Sequence, residues 1–541
     1  MSTHHLTQWL VQAAHQYPDK TALIEGDQAV TWAALHQRVI NTASYLQQQQ
    51  VERGDRVVVW LPNGVDFVVC FWAVQYLQAV FVPVNPDTPL ARVDWLLDNA
   101  ESHLLIAQAA HASALAEALG ERGLHLVFDQ APSLQAPSLQ AHTWPGLSLQ
   151  QIALLPPAQP LSLQGALDID LACLIYTSGS TGDPKGVMLT QRNMLSAADS
   201  VAGYLQLSGA DRVFCTIPMS FDYGLYQAIM TAKVAATLII EKDFSRPLFA
   251  LKQLVKHQAT VLPIVPTLLA IIAPLAKRYD FSSLRKITNT AAALHPSDIE
   301  LLISLFPHAE IFSMYGLTEC HRCTWLPPAL LSQHKDSVGY AIPNTELWVV
   351  DDEGVAHRRN ATGELVIRGA TVMRGYWRNP EQTAKKLRPG PLPGESVLYT
   401  GDLCRLDEQG LLYFLSRSDD VLKTNGEKVA PREVEGVLKR VPGVLQVAVI
   451  GIAHPVYGDE IVACIECVAP LDEASLKAFC QSHLEAYKRP HRYYFSQALP
   501  KNNNGKVDRG QLSGLLPRRE NKLNVGCTQQ TGSHHVHANH H

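Results

Sequence analysis

The stretch that most constrains this chain runs from Leu171 to Met188, LACLIYTSGSTGDPKGVM. Leu171 to Tyr176 is an uninterrupted apolar run, which reads as a buried strand. It empties into Thr177-Ser178-Gly179-Ser180-Thr181-Gly182-Asp183-Pro184-Lys185-Gly186. Glycine lets the backbone approach a ligand closely, and the short hydroxyl side chains add donors. Successive N–H groups in such a turn make an anion cradle, to which Lys185 adds a mobile positive charge. The chemistry this suits is holding the phosphates of a nucleotide; the plain alternative is a flexible surface turn. Two familiar phosphate motifs do not fit. No G-x-x-x-x-G-K-[ST] is present, since the residue five after Gly179 is Pro184, and the stretch holds no G-x-G-x-x-G.

The 541 residues exceed one ordinary domain and suffice for large buried cores. A composition 47% hydrophobic and 18% charged is that of a soluble globular protein, and a net charge of -5 leaves no basic footprint for nucleic acid or an anionic membrane. The ten cysteines are scattered, mostly in apolar runs such as Val69-Cys70-Phe71, and read as reduced core thiols of a cytoplasmic protein. Cys464-Ile-Glu-Cys467 has C-x-x-C spacing, but its strand-like setting and the lack of a second pair favour a structural role over zinc. Met1-Ser-Thr-His-His shows no signal-peptide pattern, and no apolar stretch reaches the roughly 18 residues of a membrane span. The polar, His-rich tail is expected to be disordered.

Along the chain, Gly54–Leu61 reads as a strand, 63–80 as an apolar helix and 81–86 as a returning strand. Thr31 is a plausible cap for a helix over 31–40. Strand, helix, strand in that order argues a parallel α/β layer. Residues 130–164, with the direct repeat APSLQAPSLQ, read as linker. After the glycine-rich loop, segments ending at Tyr226, Thr267, Leu294 and Glu319 are strands running into small or polar residues. In open α/β sheets the ligand crevice lies at such carboxyl ends. From Glu346 short strands and turns suggest a small β-barrel-like subdomain, and an α+β pattern follows a boundary near Arg417–Asp420. The expected division is a core over 1–417, a small domain over 418–519 and a tail over 520–541.

The loop resembles, nearly letter for letter, the phosphate loop of the AMP-forming adenylating superfamily of acyl-CoA synthetases, luciferases and adenylation domains of nonribosomal peptide synthetases. The resemblance covers about residues 5–515, with further motifs in family order. It implies an α/β fold with a large N-terminal domain of parallel sheets and a small, mobile C-terminal domain. It implies ATP and Mg²⁺ as cofactors and a two-step reaction, in which a carboxylate attacks the α-phosphorus of ATP and a thiol then attacks the acyl adenylate. Within Tyr315-Gly316-Leu317-Thr318-Glu319, Tyr315 is expected to stack on the adenine and Glu319 to ligate Mg²⁺, with Thr318 among the catalytic residues. Thr177 to Gly182, Lys185, Ala291, Ala292 and Gly316 are expected around the nucleotide, Asp402 to accept from both ribose hydroxyls, and Arg417 to reach ribose or phosphate. Lys506 matches the lysine bridging substrate carboxylate and α-phosphate, and Asp419 the hinge that brings the Lys423–Gly426 turn to the thiol.

For the acid, Asp222 is informative, because amino-acid-activating members hold an aspartate there to pair the substrate ammonium. Tyr223, Tyr226, Thr288, Thr290, Met314, Arg322 and Cys323 are expected to line the same pocket, its two tyrosines making it small and rimming it with hydroxyls. FDYGLYQ, TNTAAAL and YGLTECHR look most like free-standing prolyl enzymes that load a separate peptidyl carrier protein. The expected substrate is therefore proline or a similar small amino acid; Arg322 departs from the small or apolar residue usual there, and if it neutralises Asp222 that argument weakens and an acyl-CoA ligase for a small carboxylic acid is the alternative. No carrier-type attachment motif follows Lys506, so the thiol is expected in trans, from a carrier protein or coenzyme A. A relict, non-catalytic nucleotide binder is the reading from another class; joint retention of Glu319, Asp402 and Lys506 speaks against it.

Overall fold

The computed structural model describes residues 4–119, 124–132, 146–156, 158, 162–163, 165–177, 184–290, 294–417, 420–424, 427–454, 458–467, 471–501 and 507–516. The expected disordered tail, 520–541, lies outside them. Among the described residues no helix is long and apolar enough to cross a membrane.

Two mixed sheets carry the large N-terminal part. The first runs in the spatial order Gly375–Tyr376, Lys185–Thr190, Leu171–Thr177, Val80–Pro83, Arg56–Trp60, Leu104–Ala107, His125–Phe128. From Leu171–Thr177 onward its neighbours are parallel, and the two edge strands are antiparallel. The apolar runs follow from this placement, since both faces are covered. Val57 and Val59 join the main core while Val58 joins a second cluster with Leu96, Leu97 and Leu115. Thr31 caps the helix Trp32–Gln48 by accepting from the Ala34 N–H at 3.2 Å. The expected helix over 63–80 is shorter, Val65–Tyr76, because Gln78 turns left-handed (φ 57°) and sends Val80–Pro83 into the sheet. Among the described residues of the expected linker lies a short helix, Leu149–Ala153, capped reciprocally by Ser148 and Gln151; the direct repeat lies largely outside the described residues.

The second sheet has nine strands. At its centre Glu310–Tyr315, Lys286–Asn289, Val261–Ile264 and Arg212–Cys215 lie side by side and parallel. Their carboxyl ends therefore share one edge. The helix Asp222–Val234 starts beyond that edge, and a Cβ at Gly224 would meet the Pro218 carbonyl oxygen at 2.3 Å, so its first turn packs onto backbone. An antiparallel sheet of six strands over 345–417 supplies the small β-subdomain.

The C-terminal part is α+β, with a five-stranded sheet and the helices Pro431–Leu438, Glu473–His483 and Arg509–Leu515. The first begins on its proline, where a missing N–H costs nothing. Cys464 and Cys467 stand in the strand Gly458–Cys467 and belong to clusters on opposite faces of the sheet, so their sulfurs do not converge. The helix Pro431–Leu438 leads into Lys439, whose Nζ lies 2.6 Å from Asp298 of the large part.

Candidate active site

The motif residues gather where the second sheet meets the small β-subdomain. Tyr315 ends the strand Glu310–Tyr315. Its hydroxyl donates to Asp402 Oδ2, and its ring stacks on Phe414 with centroids 5.8 Å apart. Asp402 lies in the strand Ser396–Leu406, in register with Arg417, which places the Arg417 Nε 3.3 Å from Oδ1. Burial raises the Asp402 carboxyl above the usual carboxylate range, against the pull of Arg417 and of the Tyr315 hydrogen bond. Of the carboxylate oxygens expected to accept from both sugar hydroxyls, Oδ2 already accepts from Tyr315, and Oδ1 is ion-paired without a hydrogen bond.

Gly316 is required by the close approach of the following loop, because a Cβ there would lie 1.8 Å from the His321 carbonyl oxygen. That turn places Glu319, whose carboxylate accepts from the Tyr376 hydroxyl at 2.7 Å. Thr318 is half-buried beside it. Lys185 reaches the same place, its Nζ 2.9 Å from Gln382 Oε1 and 5.6 Å from the Tyr376 ring centroid. Lys386 donates to the Thr400 carbonyl at 2.7 Å, and burial lowers its pKa. Thr177 closes the strand Leu171–Thr177, its hydroxyl 3.5 Å from the Lys185 carbonyl. Ser178, Gly179, Ser180, Thr181, Gly182, Ala291, Ala292, Asp419 and Lys506, with Asn425 and Gly426 of the thiol-side turn, lie outside the described residues.

No group of three or more His, Cys, Asp or Glu is arranged to hold a metal among the described residues. Glu319 is a single half-exposed carboxylate facing the Lys185 and Tyr376 side chains. That donor set fits Mg²⁺, which takes one or two carboxylates and completes its shell with phosphates and water.

The acid side is organised differently. Arg322 Nη1 lies 3.2 Å from Asp222 Oδ2, with side-chain exposures of 2% and 19%. The guanidinium stands over the rings of Tyr223 and Tyr226, at 4.7 and 5.6 Å. Its Nε has no conventional acceptor, as fits a guanidinium packed against aromatic faces. The two tyrosine hydroxyls do not rim an opening, which corrects the sequence expectation. Tyr223 donates to the Thr288 carbonyl at 2.7 Å, and Tyr226 meets His321 Nε2 at 3.2 Å. Burial pushes the phenolic pKa of both upward. Met314 and Cys323 are fully buried behind them, Met314 accepting from the Tyr204 hydroxyl at 2.8 Å, and Thr288 and Thr290 are buried too. The carboxylate on which the ammonium argument rested is thus already paired.

Sequence reasoning missed His321, Tyr376, Lys386 and Phe414. His321 adopts φ 60°, which few non-glycine residues do, and so turns Arg322 toward Asp222. Burial and the adjacent Arg322 lower its pKa to about 3, so it is neutral at pH 7. Its place inside YGLTECHR was the available signal. Tyr376, Lys386 and Phe414 act through partners far away in sequence and belong to no spaced motif.

Comparison with known proteins agrees with this geometry. The AMP-binding enzyme family matches residues 10–377, and the AMP-binding enzyme C-terminal domain matches residues 433–506. The chain is 31% identical over 508 residues to the sulfoacetate–CoA ligase of Cupriavidus necator, covering 92% of this chain and 95% of that one. It is 31% identical over 511 residues to the delta-poly-L-ornithine synthetase of Acinetobacter baumannii, covering 92% of this chain and 36% of that larger protein. O-succinylbenzoate coenzyme A synthetase from Bacillus subtilis, solved with ATP and a magnesium ion, superposes with a TM-score of 0.79 at 26% identity, over 93% of this chain and 98% of that one. The chain belongs to the AMP-binding enzyme family and is an AMP-forming acid–thiol ligase.

Proposed function

We propose that the protein activates a small carboxylic acid lacking an ammonium group, as its acyl adenylate, and passes the acyl group to coenzyme A. The observation that carries this reading is the ion pair between Asp222 and Arg322, which leaves no surplus negative charge for a substrate ammonium. In the first step a carboxylate oxygen bonds to the α-phosphorus and pyrophosphate leaves. In the second a thiolate bonds to the acyl carbon and AMP leaves. No enzyme nucleophile is needed, so catalysis rests on positioning and charge neutralisation.

The nucleotide wall divides that work. The Asp402 Oδ1 accepts from the ribose, and Arg417 beside it balances the buried charge. Tyr315, backed by Phe414, forms the base platform. Lys185 is placed to meet the phosphates, a role the motif gives also to the glycine-rich loop. Glu319, oriented by Tyr376, would hold Mg²⁺, which would supply neutralisation of phosphate charge. Lys506 carries its bridging role from the motif, and the small domain turns about Asp419 between the steps.

Activation of proline or a similar small amino acid for a carrier protein is the second reading. It is favoured by the helix-start position of Asp222, whose other oxygen has no partner among the described residues. The delta-poly-L-ornithine synthetase among the relatives carries a name from that chemistry. The deciding experiment is acid-dependent pyrophosphate release with ATP and Mg²⁺ across proline, cyclopentanecarboxylate and short fatty acids, followed by thioester formation with coenzyme A. Release with amine-free acids and thioester formation on coenzyme A are expected. Activity confined to proline overturns the primary reading in favour of the second.

A further inference from the structure

The Asp222–Arg322 pair bears on which small acids the pocket takes. Of its two members only Asp222 faces outward, at 19% exposure against 2% for Arg322. Asp222 opens the helix Asp222–Val234, and Arg322 is its one hydrogen-bonding side-chain partner among the described residues. Arg322 is always charged, and it is locked between two tyrosine rings that Thr288 and His321 hold in turn. His321 is neutral at pH 7, and the nearby thiols of Cys215 and Cys323 are held protonated by burial. The described groups around the pair therefore carry no net charge, and one carboxylate oxygen has no hydrogen-bond donor among the described residues.

An ammonium entering a site of zero net charge sheds its hydration without a surplus negative charge to receive it. A hydroxyl needs only an acceptor, and the open Asp222 oxygen is one. An acid with no donor leaves that oxygen covered and unpaired. Behind the pair, Tyr223, Tyr226, Met314 and Cys323 are at most 3% exposed, so the wall there is filled by side chains. Resting on the reading that the enzyme activates a small acid, we propose that Arg322 is the specificity-determining residue that disarms Asp222 as an ammonium receptor, and that the substrate is a short hydroxy acid.

The test is pyrophosphate release by the full-length enzyme with two matched sets, lactate, alanine and propionate, then 2-hydroxybutyrate, 2-aminobutyrate and butyrate. The wild type is expected to favour the hydroxy acid over both analogues by tenfold or more in kcat/KM. Arg322→Met bares the carboxylate, and the amino-acid to hydroxy-acid ratio is expected to rise at least tenfold. Arg322→Lys keeps the charge and keeps the wild-type order. Asp222→Ala, at a helix start that is 19% exposed, brings hydroxy and deoxy acids to within about threefold, and the wild-type profile decides by itself if neither variant folds. A wild type that takes the deoxy or amino acid as well as the hydroxy acid overturns the inference and leaves the ligase reading intact. So does a folded Arg322→Met enzyme with unchanged ratios. Absence of release with every acid brings down the ligase reading and this inference together.

Discussion

The two walls of the site handle charge in opposite ways. On the nucleotide wall polar groups are held ready but left incomplete. Asp402 Oδ1 has an ion pair and no hydrogen bond, Glu319 has one donor on a half-exposed carboxylate, and Lys185 rests on an amide oxygen and an aromatic face. On the acid wall charge is cancelled in place, Arg322 against Asp222, with Tyr223, Tyr226 and His321 tied to one another or to backbone. The difference follows from what each wall meets. A nucleotide always brings phosphates and hydroxyls to complete the first wall. A wall that selects among acids does so by what it refuses, and a charge-neutral wall refuses groups that need a surplus charge.

The sharpest way to break this contrast is to remove the charge that the motif resemblance, not the described residues, assigns to adenylation. Lys506→Ala is expected to lower acyl-adenylate formation about 100- to 1,000-fold, roughly 3–4 kcal/mol, as loss of a charge-stabilising donor does elsewhere. Transfer from supplied acyl adenylate to coenzyme A is expected to stay within about threefold. Single-turnover measurement of the two half-reactions checks this. Equal loss in both removes Lys506 from the adenylation role.

Asp402→Asn tests whether the incomplete group is held at a cost. Its KM for ATP is expected to rise about 10- to 100-fold, since hydrogen bonds to charged groups contribute about 1.5–3 kcal/mol. The stability effect has the opposite sign. Burial raises the Asp402 pKa in the folded state, so the folded protein binds the proton more tightly, and stability falls as pH rises from the ordinary carboxylate range through the raised pKa. The neutral amide escapes this, and nucleotide-free Asp402→Asn is expected to melt higher than wild type at pH 7. A lower melting temperature with unchanged KM shows that Asp402 is structural.

On the acid wall the corresponding probe is pH. His321 has its pKa lowered to about 3 by burial and by Arg322. Its contribution to stability is complete above the unfolded value near 6.5 and is lost as pH falls toward about 3, amounting to roughly 2 kcal/mol at pH 5. His5 and His295, each lowered to about 4, add losses of the same sign. His321→Asn keeps a residue tolerant of φ 60° and removes the proton site. Its urea midpoint is expected to fall less than that of the wild type between pH 7 and pH 5. An equal fall excludes His321 as a source of the acid sensitivity.

The contrast also explains what could be read from the sequence. The candidate nucleotide wall could be named from the sequence because Tyr315, Glu319, Asp402 and Lys185 each stand in a short, locally spaced motif, and the fold brings those motifs to one place. Their supports could not be. Tyr376 is 57 residues from the Glu319 it orients, and only the antiparallel pairing of Gly375–Tyr376 with Lys185–Thr190 brings it there. The acid-wall residues were named, but their state was open, because the charge of Asp222 depends on a partner 100 residues away. The shortened apolar helix Val65–Tyr76 teaches the same at the level of fold, since periodicity continued where a left-handed Gln78 did not. Composition and apolar runs announced the sheets; which polar groups pair across them is a property of topology.

The smallest effect tests whether support on the nucleotide wall works through the ligand group alone. Tyr376→Phe removes the hydroxyl that donates to Glu319 at 2.7 Å and leaves the ring under Lys185 and inside the core. A hydrogen bond to a charged group contributes about 1.5–3 kcal/mol, and the half-exposed Glu319 puts this one at the low end, or roughly 10-fold. Because Glu319 then turns freely, the change is expected in the Mg²⁺ concentration for half-maximal pyrophosphate release, with saturated kcat within about twofold. The acid preference is expected to be unmoved, since Tyr376 and Asp222 sit on different walls. A Phe variant with altered acid preference and ordinary Mg²⁺ dependence means that the two walls are coupled through the loop Gly316–Arg322, and the division between a completed wall and a refusing one no longer holds.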